Sequence, residues 1–94
     1  MEDKKIKVLY VDDEPINLRL FEATFRREFI IFIADSAMEG LEILKKKSID
    51  VVITDQRMPE ITGLELLKKV QKLFPSIPPS RLMLSGFSES KDIE

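Results

Sequence analysis

Cysteine and histidine are both absent from the 94 residues of this chain. Without cysteine there is no disulfide and no thiolate metal site. Without histidine the commonest general base and the commonest transition-metal ligand are gone. Chemistry is left to carboxylates, hydroxyls, lysine and arginine, and oxygen-rich sites of that kind suit Mg2+ rather than Zn2+. An excess of positive charge is lacking too. The formal net charge is −2, which offers no electrostatic footprint for direct binding of nucleic acid. No apolar run approaches the length of a membrane span and no signal peptide opens the chain, so no membrane association is expected and the expected location is the cytoplasm.

What remains is the composition of an ordinary globular domain, 44% hydrophobic and 34% charged. Ninety-four residues make one domain at most, with a thin stability margin. Its organising stretch is Val51-Val52-Ile53-Thr54-Asp55, a short β-branched run that reads as a strand covered on both faces. Pro59 rules out its continuation as a central strand, so a carboxylate, Asp55, sits where a buried strand leaves its sheet. Ligands of open α/β sheets bind outside the carboxyl ends of strands. Aspartate is also a common turn residue, and Asp55 alone does not decide between the two.

The other segments supply the context. Ile6 to Val11 reads as a first strand, followed at once by Asp12-Asp13-Glu14-Pro15. Pro15 suits the first turn of a helix, and acids ahead of it favour a helix N-terminus. Leu18, Phe21 and Phe25 give that helix an apolar face, and it is expected to end near Glu28. Phe29 to Ala34 reads as the second strand. Ser36-x-x-Glu39 and Thr62-x-x-Glu65 are capping boxes that open two further helices. Their expected inward residues are Ala37, Leu41 and Leu44, and then Leu67, Val70 and Phe74. Lys45-Lys46-Lys47 reads as a solvated last turn complementing the helix dipole. Pro75, Pro78 and Pro79 form a stiff loop, Arg81 to Ser85 a fourth strand, and Ser90 to Glu94 the start of a helix.

Strict β-α-β-α-β-α-β alternation predicts a doubly wound parallel sheet with helices on both faces. With the first strand between the second and third, Asp12, Asp13 and Asp55 converge on one sheet edge beside Ser85 and Gly86. Crowded carboxylates repel, and raised pKa values or a bound cation are the usual remedies. A divalent cation with oxygen ligands is the economical one.

These residues resemble the receiver domain of bacterial two-component response regulators. The resemblance rests on Asp12-Asp13 after the first strand, Asp55 after the third, Met58-Pro59, Thr62-Gly63, and Ser85-Gly86 after the fourth, with matching spacing from Ile6 to Glu94. It implies a flavodoxin-like, CheY-like fold with strand order 2-1-3-4, and a phosphoacceptor signalling module rather than an enzyme, beyond Mg2+-dependent self-phosphorylation and self-dephosphorylation. It implies that Asp55 takes a phosphoryl group from a sensor histidine kinase or a phosphotransfer protein. It implies Mg2+ held by Asp12, Asp13, Asp55 and the backbone carbonyl of Arg57, and a hydroxyl of Ser85 that hydrogen-bonds the phosphoryl oxygens. The family continues with a fifth strand, bearing a phosphoryl-binding Lys and an aromatic residue, and a last helix. The sequence ends before them, so the expected domain over residues 1–94 is incomplete at its C-terminus, and the apolar fourth strand would be an edge open to self-association.

Other residues have two readings. Phe87 either gates water access to the acyl phosphate or packs on Met58. Arg57 tunes access or is an exposed loop residue. Asn17 either orients the acidic cleft or, as the default, is a plain helix-surface residue. Tyr10 reads as core, and Met38, Met58 and Met83 as packing. Two other functions compete. A Mg2+-dependent aspartyl phosphohydrolase of the haloacid dehalogenase type is disfavoured, because Asp12 and Asp13 are adjacent rather than separated by one residue. A receiver-like interaction domain that is never phosphorylated is the other.

Overall fold

Apolar segments too short for helices alternate with amphipathic ones, and the computed structural model resolves them into four strands and three helices. The strands are β1 (Lys7–Val11), β2 (Ile30–Ala34), β3 (Val51–Asp55) and β4 (Ser80–Leu84), and the helices are α1 (Pro15–Phe25), α2 (Ala37–Lys46) and α3 (Gly63–Leu73). The structure describes residues 5–55 and 61–73, and the backbone of 80–84. All pairings are parallel and the order is β2-β1-β3-β4, so the expected sheet is the observed one. Among the described residues, β2 and β4 are its edges.

Strand parity divides the interior in two. Leu9, Val11 and Val52 face one way and join Ala37 and Leu44 of α2 and Leu66 and Val70 of α3 in the main core. On the other face Tyr10 stacks on Phe21 of α1, with ring centroids 4.3 Å apart. The aromatic row continues from Phe21 to Phe25 at 4.9 Å and from Phe25 to Phe29 at 6.2 Å. The α1 helix thus covers one face of the sheet, and α2 and α3 the other.

The capping box of α3 forms in full, and that of α2 forms with its return bond displaced by one residue. In α3 the Glu65 amide donates to Thr62 Oγ1 at 3.1 Å, and the Thr62 amide donates to Glu65 Oε1 at 2.9 Å. In α2 the Glu39 amide donates to Ser36 Oγ at 3.1 Å, but the Glu39 carboxylate accepts from the Asp35 amide, one residue ahead of the cap. Each pair satisfies backbone donors that a helix start otherwise leaves open.

Four expectations are corrected. The first helix ends at Phe25 rather than near Glu28, because the chain turns there and the amides of both Glu28 and Phe29 donate to the Phe25 carbonyl. Phe29 therefore precedes β2 instead of opening it. The inward stripe of α3 centres on Gly63, Leu66 and Val70; Leu67 is only half-buried, and Phe74 lies outside the described residues. Met38 is 70% exposed and does not pack. Met58, and the side chain of Met83, lie outside the described residues.

Gly40 brings α2 close to the sheet. A Cβ there would stand 3.0 Å from Val11 Cγ2, with the Ala34 and Leu9 side chains at 3.8 Å. Val11 is fully buried and β-branched, so it has little room to yield. Gly40→Val is expected to destabilise the fold by about 1–3 kcal/mol through overpacking, although glycine is itself a poor helix former. Urea denaturation followed by circular dichroism checks this, and a more stable variant would contradict the close packing.

Candidate functional site

The β1 and β3 strands run side by side in register, Tyr10 with Ile53 and Val11 with Thr54, so both leave the sheet at the same edge. Their next residues, Asp12 and Asp55, are therefore neighbours although 43 positions apart in sequence. Asp13 follows Asp12 in the turn into α1. One carboxylate oxygen from each of Asp12, Asp13 and Asp55 lies within 4.8 Å of the others. Asp12 is buried, and Asp13 and Asp55 are half-buried. The Thr54 hydroxyl, buried on the opposite face of β3, donates to the Asp55 carbonyl at 3.1 Å and anchors the peptide where the strand leaves the sheet.

Asp12 is held by three hydrogen bonds. Its Oδ1 accepts the Glu14 amide at 3.0 Å, an Asx turn that starts α1 immediately before Pro15. Its Oδ2 accepts the Tyr10 phenol at 2.6 Å and the Asn17 side-chain amide at 3.1 Å. All three donors are neutral, so they orient the carboxylate without cancelling its charge. Burial pushes the Tyr10 phenol pKa well above its ordinary value, and the hydrogen bond to Asp12 and the charges of Asp12 and then Asp55 push the same way. Tyr10 therefore stays protonated and remains a donor.

Tyr10 is the residue whose part at the site the sequence reading missed, and Asn17 takes the less favoured of its two readings, orienting the acidic cleft. Tyr10 is core as expected, 3% exposed, but its hydroxyl belongs to the acidic cluster. Asn17 is not the plain surface residue expected. Two signals were present. Tyr10 precedes Asp12 by two residues and so shares its face of the strand. Asn17 precedes Phe21 by four and so shares its face of the helix. Of the other expected site residues, Arg57 and Ser85 lie outside the described residues, as do Gly86 and Phe87.

Hard carboxylate oxygens suit Mg2+ or a similar divalent cation. Oxygens on opposite sides of an octahedral Mg2+ are about 4 Å apart, so a cluster spanning 4.8 Å needs only small side-chain adjustments to share one ion. The cluster adjoins solvent through Asp13 and Asp55. Among the described residues, no helix is long and apolar enough to cross a membrane.

Residues 8–94 match the sequence family described as the response regulator receiver domain. The hydrogenase transcriptional regulatory protein HoxA of Cupriavidus necator is 39% identical over 93 residues, which cover 99% of this chain and 19% of HoxA. The chain thus spans about a fifth of the length of that relative. A response regulator receiver domain protein from Clostridium thermocellum superimposes with a TM-score of 0.79 at 31% identity, over 93% of this chain and 70% of that one. The response regulator TrrA of Thermotoga maritima, solved in complex with Mg2+ and BeF, gives 0.78 at 29% identity, over 94% of this chain and 76% of its own.

Proposed function

The chain belongs to the response regulator receiver domain family, and on that premise we propose that residues 1–94 form a receiver domain in which Asp55 takes a phosphoryl group from a sensor histidine kinase or phosphotransfer protein. Receiver domains are phosphoacceptor signalling modules of two-component systems and are generally not enzymes. The observation that carries the assignment to these residues is the meeting of Asp12, Asp13 and Asp55 within 4.8 Å at one sheet edge.

Asp55 is the proposed nucleophile because of where it stands. It ends a strand whose hydrogen-bonded neighbours on both sides hold its backbone still, and its side chain is half-exposed to an incoming donor. Asp12 is buried and already accepts three hydrogen bonds. A carboxylate oxygen of Asp55 attacks phosphorus, the bond from phosphorus to the donor histidine nitrogen breaks, and its electron pair returns to the imidazole. An acyl phosphate on Asp55 results. Asp12 and Asp13, with Asp55 and the Arg57 carbonyl, are the proposed ligands of Mg2+. When bound, Mg2+ would supply the positive charge that offsets repulsion between carboxylate and phosphoryl oxygens. The Ser85 hydroxyl is the proposed donor to the phosphoryl group. A phosphoaspartate adds charge and strong acceptors, enough to draw a hydroxyl and its loop into a new position and so to change partner contacts. The cytoplasm, where such donors would reach it, is the proposed location.

Titration with Mg2+ tests the metal ligands. Millimolar Mg2+ is expected to shift the amide resonances around Asp12, Asp13 and Asp55. Asp13→Ala is expected to raise the midpoint on the order of tenfold or more, because fewer and less charged ligands remain. An unchanged midpoint in that variant would remove Asp13 from the site.

A further inference from the structure

We propose that Tyr10, with Asn17 beside it, is a positioning residue of the acidic site: the two donors occupy Oδ2 of Asp12 and leave Oδ1 as the oxygen that meets a divalent cation. The inference rests on the metal reading above and adds to it two side chains and one choice of oxygen.

Acceptor capacity makes the case. A carboxylate has about four lone-pair sites, two on each oxygen. The Tyr10 phenol at 2.6 Å and the Asn17 amide at 3.1 Å take both sites of Oδ2. The Glu14 amide takes one site of Oδ1 at 3.0 Å. Among the described residues, the hydrogen bonds thus leave Asp12 one acceptor position, and it lies on Oδ1. Geometry holds the arrangement in place. Tyr10 and Asp12 share one face of β1, and the phenol ring is clamped against Phe21 at 4.3 Å. The short Tyr10 bond fixes rotation of the Asp12 carboxyl about its own axis, and Asn17 ties the same oxygen to the first turn of α1. A buried phenol needs a hydrogen-bond partner in any case. What distinguishes positioning from mere satisfaction is an effect on the metal.

The chain allows a direct measurement, because Tyr10 is its sole tyrosine and it has no tryptophan. Tyrosine emission therefore reports on this one side chain, whose hydroxyl is bonded to Asp12. In the full chain, Mg2+ titration is expected to change tyrosine emission with the same midpoint that calorimetry gives. Tyr10→Phe keeps the ring on Phe21 and removes only the donor, and its Mg2+ affinity is expected to fall about tenfold. Asn17→Ala is expected to move the affinity in the same direction by less. Tyr10→Phe binding Mg2+ within about twofold of the unaltered chain would overturn the proposal, as would emission that ignores saturation. A chain that binds no Mg2+ at all would instead overturn the metal reading, and this inference with it.

Discussion

Asp55→Asn is expected to abolish phosphoryl uptake altogether. Incubated with Mg2+ and a small acyl phosphate donor, the unaltered chain should gain the mass of one phosphoryl group, and hydroxylamine should remove it, as it does from an acyl phosphate. The asparagine variant should gain none. The reason is chemical: an amide nitrogen or oxygen is a far poorer nucleophile than a carboxylate, and the other two acids are proposed as metal ligands. Asp12 is 1% exposed and accepts from Tyr10, Asn17 and Glu14, and the acceptor position these bonds leave on Oδ1 is the one proposed to meet the cation. Asp13 sits in the turn beyond β1, without a strand on either side to fix it. Phosphate retained by the variant, or mapped to Asp12 or Asp13, would overturn the assignment. An unaltered chain that binds Mg2+ yet takes no phosphate would favour the interaction domain that is never phosphorylated.

The second large effect concerns the main core, on the other face of the strand that ends in Asp55. Leu66 is fully buried on α3, in the core cluster that includes Val52 of β3. Truncation to alanine removes most of its side chain and leaves a cavity, which typically costs about 2–5 kcal/mol. A small domain has only about 5–15 kcal/mol in total. At about 4–8 °C per kcal/mol for a domain this size, Leu66→Ala should lower the thermal midpoint by at least about 8 °C. Leu67→Ala, at a half-buried position, should cost distinctly less. Thermal unfolding of the two variants side by side checks the rotation of α3, and a larger loss from Leu67→Ala would show that the helix faces the sheet differently. Because β3 ends in Asp55, the Leu66 cavity should also loosen the strand that presents the proposed nucleophile, and phosphoryl uptake by that variant should weaken near its midpoint.

Much of this architecture follows from rules that act over a few residues. Alternating apolar runs and amphipathic segments are enough for a parallel sheet. Ser36 and Thr62, each three residues before a glutamate, determine where two helices begin, because a helix start must satisfy its own open amides. Strand alternation with helical crossovers puts the carboxyl ends of β1 and β3 at one edge, and so brings Asp12, Asp13 and Asp55 together before any coordinate is known.

Other features were decided only when the elements packed. A periodic pattern assigns side chains to directions around a helix axis, but not the rotation of that axis against a neighbour. Leu66 and Leu67 are adjacent and equally apolar, and only contact with the sheet selected Leu66 for the core. Met38 and Gly40 are two positions apart on α2, one exposed at 70% and the other against Val11, for the same reason. The bond of Asn17 to Asp12 links α1 to the end of β1 and exists only once the helix has settled there, and the Tyr10 phenol that shares that oxygen is held in place by its stacking on Phe21 of the same helix. The sequence by itself therefore determined the order of elements, their caps and the acids at the strand ends, all set by neighbours in the chain. The tertiary structure decided which faces are buried and how the three acids meet, because those depend on partners distant in sequence and near only in space, and it set the orientation in which nearby Tyr10 and Asn17 reach Asp12.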